Sequence, residues 1–220
     1  MKSILQIAVL NLAVVCPAFA QTAPPVEKPW TDKRPTIVSG PFGFSAGMTR
    51  EQIVQLVGRG AVVEKQSQGD FLMLTTAPKP NRTFENYILI ISPALGLLKV
   101  VAVGVTAQTG DSGSELQTLF ADVVAGVSQK YGKPTETRDF CSGNDTECDN
   151  SQFWMMSLKD KNRALASLWD FRDKPFNSIT AIVVTLKSAS ISSGYVTVGY
   201  EFAGFEQYAD SKTAKQNGSY

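Results

Sequence analysis

The 220-residue chain contains no histidine. That absence removes the general base of Ser-His-Asp and Cys-His nucleophile systems and the commonest side-chain ligand of zinc. Cysteine is scarce, with three in the chain, and charged residues make up only 19%. No G-x-G-x-x-G, Walker lysine loop or G-x-S-x-G elbow occurs. Pro41-Phe42-Gly43-Phe44-Ser45-Ala46-Gly47 has spaced glycines, but phenylalanines separate them and no lysine follows to hold a phosphate. What remains open to an enzyme is carboxylate, Ser-Lys or tyrosine chemistry, and sequence alone selects no pair among the 20 acids.

What is present begins with the N-terminus. Lys2, an apolar run over 4–15 broken only by Gln6 and Asn11, and Pro17-Ala18-Phe19-Ala20 form the three parts of a secretory signal. The run is shorter than the ~20 residues a membrane span needs. Cleavage is expected after Ala20, releasing the protein to the periplasm or the outside of the cell. Lipid attachment at Cys16 is disfavoured, because Val15 stands where a lipobox carries a small residue. Cleavage removes Lys2 and no acid, leaving 20 basic and 20 acidic residues and no net charge. Such a balance argues against nucleic acid or an anionic membrane as partner, and no later segment reads as a transmembrane span.

Loss of Cys16 leaves Cys141 and Cys148, an even pair in an exported chain, which reads as a disulfide. The intervening loop is rich in oxygen ligands. Asp145, Glu147 and Asp149 alternate, with Asp139 and Asn144 nearby, and form a weak Ca²⁺ candidate. The loop lacks the EF-hand glycine and distal glutamate, so a solvated hairpin tip is the favoured reading and no cofactor is expected.

Residues 21–40 carry four prolines among polar residues and read as an extended leader, with Trp30 packing on the domain edge. Residues 41–205 form one domain, and 206–220 a polar tail expected to fray. Thr49-Arg50-Glu51-Gln52 is a capping box with Met48 and Ile53 at the staple positions. Ser112-Gly113-Ser114-Glu115 reads as a second, opening a helix that ends at Tyr131-Gly132-Lys133-Pro134. Period-two apolar patterns predict strands at 71–76, 83–91, 97–106, 135–140, 152–158, 163–171, 178–187 and 194–202. The expected fold is therefore α+β: a mostly antiparallel sheet of about seven strands with two helices on one face. The element order also permits two α-then-β repeats, 41–110 and 111–205.

Phe42-Gly43-Phe44-Ser45-Ala46-Gly47-Met48-Thr49, followed by an amphipathic helix, resembles the opening of small bacterial envelope modules. These are the β-lactamase inhibitor protein family and the small lipoprotein of the outer-membrane barrel-assembly machinery. The resemblance implies fold more than activity, since Gly-Met-Thr is there a helix-start device.

Aromatic residues of the second half carry the functional hint. Trp169 and Phe171 share a face of one strand, and Tyr195 lies on another. Two helices cover one sheet face, so Trp169, Phe171 or Tyr195 on the other would present a shallow recognition surface. The expected function is an exported, non-catalytic binding module for an envelope protein or its ligand. The alternative is a carboxylate-dependent hydrolase acting on cell-envelope glycans or peptides.

Overall fold

The computed structural model describes residues 40–142 and 148–217, with side chains through residue 214. The signal with Cys16, the leader with Trp30, and Asn144, Asp145 and Glu147 lie outside the described residues.

Local chemistry starts the fold. Thr49 caps helix α1 (Arg50–Val57): its side chain accepts from Gln52 N while the Gln52 side chain accepts from Thr49 N at 2.9 Å. Ile53 anchors this helix in the core. A meander follows, β1 (Phe71–Leu74), β2 (Phe84–Ser92) and β3 (Gly96–Gly104), then the two-residue strand β4 (Ala107–Gln108). The second half runs through α2 (Ser114–Tyr131), β5 (Glu136–Cys141), α3 (Trp154–Lys159), β6 (Arg163–Asp170), β7 (Ile179–Ser190), β8 (Ser193–Phe202) and α4 (Phe205–Asn217).

All eight strands join one antiparallel sheet, ordered β1-β2-β3-β8-β7-β6-β5 with β4 beside β8, so the fold is α+β as expected. The two meanders meet at β3 and β8, where Val100 faces Tyr200 and Ala102 faces Val198. Alternation then sorts the faces. Tyr87, Leu89, Val100, Ala102, Ile182, Val184, Val198 and Tyr200 point inward and are buried. Their alternates, among them Ile88, Val101, Val183 and Thr197, are half-buried on the other face.

Four expectations need correction. Residues 152–158 form no strand: a 3-10 turn over Ser151–Phe153 leads into α3, and Trp154, Met155 and Leu158 are buried at helical spacing. The second capping box is absent, because Gly113 rather than Ser112 is the N-cap of α2. Gly113 sits at φ +66, and a Cβ there would lie 2.4 Å from the Trp154 ring. Glu115 instead ties the preceding loop to the helix start, accepting from Thr109 Oγ1 at 2.6 Å and from Gly110 N, which holds its carboxyl down to about 2. The polar C-terminal stretch is helical, not frayed, through Asn217. It also lies on the face opposite the other helices. Phe205 packs under Lys99, which shares the outward side of the sheet with its ion-pair partner Glu201 at 2.7 Å.

The expected disulfide is present, with Cys141 and Cys148 Cα atoms 5.8 Å apart. Arg163 buttresses it from beneath. Its Nη1 donates to both Asp139 carboxylate oxygens at 2.7 Å and its Nη2 to the Cys148 carbonyl at 2.5 Å.

Candidate functional site

The three residues proposed for recognition do not come together. Trp169 is on the helix-covered face, 1% exposed, and its Nε1 donates to the Gly132 carbonyl at 2.7 Å. The period-two pattern placed it on a strand but could not say which face the helices cover, so its role as an exposed contact is withdrawn. Tyr195 lies across from Lys187 on the opposite face, half-buried. Phe171, also half-buried, belongs to a larger aromatic group around the C-terminal end of α2.

That group begins with the segment before α1. Lys79 N donates to the Phe42 carbonyl at 2.9 Å, and Phe44 N to the Pro41 carbonyl at 3.0 Å, fixing a tight turn over the sheet. Phe42 adopts φ 55, a left-handed conformation that costs a bulky residue on the order of 1 kcal/mol or more. In return its ring stands edge-on to Phe84, Tyr87 and Tyr200 at centroid distances of 5.5, 5.1 and 5.8 Å. Tyr200 in turn meets Tyr131 of α2 at 6.0 Å, and Tyr131 meets Phe176 at 5.2 Å. A continuous aromatic path thus runs from β2 to the turn before β7.

Two hollows flank Tyr131. One, of about 440 Å³, lies between α2 and the Phe42 segment, with Phe42, Phe84, Val123, Val127, Tyr131 and Tyr200 as its apolar lining. Asn81, Thr83, Asp122 and Lys130 supply its polar rim. The other, of about 400 Å³, is bounded by Lys130, Tyr131, Phe176, Asn177 and Ser178. Volumes of this size are ordinary for small-ligand sites.

Tyr200 gives the first hollow its polar handle. The residue is 7% exposed, and its hydroxyl makes no hydrogen bond among the described residues. Burial first, and then the neighbouring Tyr131, pushes the phenol well above its ordinary range, so it is a neutral O–H at any ordinary pH. The hydroxyl opens on the hollow, where a ligand could reach it.

Gly126 is the second unusual feature. It sits in the interior of α2, where glycine costs about 1 kcal/mol against alanine. A Cβ there would meet no atom within 4 Å, so close packing does not require the glycine. It lines the same hollow as Tyr200.

No protein family model, curated protein or solved structure matches this chain.

Three of the acidic side chains under α4 lie against basic partners. A cleft of about 550 Å³ under α4 is lined by Asp170, Glu201, Glu206 and Asp210. Asp170 forms a close ion pair with Arg172, Glu201 pairs with Lys99, and Glu206 lies 3.9 Å from Arg172. The general acid of a hydrolase needs a carboxyl held protonated near neutral pH. Glu51, Asp70, Glu115 and Asp170 are all shifted the other way, each first by a hydrogen bond to its carboxylate. Asp149 is exposed, and among the described residues no group of three or more Cys, Asp or Glu side chains is placed to hold a metal ion.

Tyr131, Tyr200 and Phe42 were visible in the sequence only as helix end, strand face and glycine-spaced loop. One local signal did mark the site: a glycine, Gly126, lies beside the apolar helix stripe Leu119, Val123, Val127 and Tyr131.

Proposed function

We propose that this chain is an exported binding module of the cell envelope, cleaved after Ala20, which recognises an envelope protein or its ligand without chemistry. The observation that carries the reading is the aromatic hollow beside α2, on which the Tyr200 hydroxyl opens without a hydrogen bond among the described residues. A hydroxyl on the wall of an apolar hollow gives a ligand one fixed point for a hydrogen bond. The disulfide fits an oxidising compartment, and among the described residues no helix is long and apolar enough to cross a membrane. The Gly-Met-Thr helix start, which resembles that of small envelope modules, is a further support for this reading.

The test is site-specific crosslinking in the source envelope. A photo-reactive amino acid replaces Asp122, on the rim of the hollow, and in a second protein Lys187, exposed on the far sheet face. A discrete adduct from position 122 and none from 187 is expected. Adducts only from 187, or from neither position, would remove the hollow as the recognition site. N-terminal sequencing of the exported protein should begin at Gln21.

A further inference from the structure

We infer that the hollow beside α2 accepts a small, flat, uncharged apolar molecule, seated against Gly126, with one hydrogen-bonding group on the Tyr200 hydroxyl. The inference rests on the reading of this hollow as the recognition site and specifies its ligand.

Four observations define the ligand. The volume of about 440 Å³ suits a compact ring system. The lining is chiefly aromatic and branched aliphatic, and Phe42 is held in a strained conformation that turns its ring against Tyr200 and Phe84. Flat rings pack on such surfaces by edge and offset contacts. Asp122 and Lys130 stand on the same helix at the rim, so their opposite charges leave no net sign to select an anion or a cation. On the β8 wall of the hollow the Tyr200 hydroxyl is a neutral group able to donate or accept a hydrogen bond.

Gly126 supplies the room. Glycine is the poorest helix former after proline, and no protein atom opposes a side chain at this position. The open strip along α2 is therefore space that the fold itself does not use.

The experiment is fluorine NMR on the purified protein with two probes, fluoronaphthol and fluoronaphthalene, which differ by one hydroxyl. Fluoronaphthol should bind about three- to tenfold more tightly, the worth of one neutral hydrogen bond. Tyr200→Phe should erase that preference while both probes still bind. Gly126→Leu should weaken both by about tenfold or more without lowering the melting temperature, since leucine is the better helix former. Absence of binding by both probes, or binding that Gly126→Leu leaves unchanged, would overturn the inference. So would a preference for fluoronaphthol that survives in Tyr200→Phe. A protein adduct from position 122 with no probe binding would overturn this ligand class and leave the recognition site standing. Probe binding with no adduct from position 122 would do the reverse.

Discussion

Tyr208 of α4 donates its phenolic hydrogen bond to the Asp70 carboxylate at 2.6 Å, across 138 positions of sequence. Lys212, one turn later, reaches the same carboxylate at 2.5 Å. Together they fasten the last helix to the entrance of the first strand. Most of α4 is otherwise exposed, so this contact and the Lys99–Phe205 stack, at 4.5 Å, hold it down.

The latch should respond to acid. Lys212, then Tyr208, hold the Asp70 carboxyl below its ordinary value of 3.8, with Arg50 adding to the effect. A depressed carboxyl contributes stability above its unfolded value and loses it as pH falls through the lowered one. Docking of α4 should therefore be unchanged from neutral pH to about pH 4 and weaken below it. On the alkaline side Lys212 and Tyr208 are both raised, so their contribution should persist to about pH 10 and decline above it. Asp70→Asn should reproduce the acid state at pH 7, with several-fold faster tryptic cleavage after Lys212. Cleavage at the wild-type rate would show that the latch does not hold the helix.

Gly113→Ala should be among the most damaging small substitutions. The new methyl would enter the Trp154 ring, and the backbone is left-handed at that point. A loss of about 2–4 kcal/mol is expected in urea unfolding, combining overpacking with backbone strain. An unchanged midpoint would mean that Trp154 and the α2 start have room to rearrange.

Trp169→Ala should cost about 3–5 kcal/mol, because it empties a core position and leaves the Gly132 carbonyl without its donor. Tyr195→Ala, on the half-exposed face, should cost less than about 1.5 kcal/mol. Thermal melts of the two variants give the comparison, and equal losses would contradict the face assignment.

Reduction of Cys141–Cys148 should destabilise the protein by roughly 2–3 kcal/mol, the chain-entropy value for so short a loop. The Cys141→Ser, Cys148→Ser double variant should behave like the reduced protein and be indifferent to reductant. A melting temperature insensitive to reductant in the wild type would place the stabilisation of this region on Arg163 and Asp139 instead.

Short-range chemistry was the most legible part of the fold. The Thr49 capping box and the 83–91 and 97–106 hairpin depend on neighbours a few residues away, and they stand in the structure as β2, β3 and the start of α1. Trp154, Met155 and Leu158 failed as a strand because a short apolar run fits either period, and only packing under Gly113 decides for the helix. The polar sequence of α4 carries no periodic stripe; its docking depends on Asp70, far away in the chain. The hollow was hidden for a related reason. Phe42, Tyr131 and Tyr200 come from three separate elements, and alternation alone does not reveal which face of β8 meets α2.

The seam between β3 and β8 has a consequence for how the molecule assembles. Among the described residues the last strand in chain order, β8, is a central one, flanked by β3 on one side and β7 on the other. Pairs such as Val100 with Tyr200 form only after a long loop has closed, and its entropy must be lost before the contact returns anything. Before β8 has been added, the flanks of both β3 and β7 are exposed at once. The two meanders are thus joined into one core only when β8 pairs on both sides, and folding should be slow and cooperative.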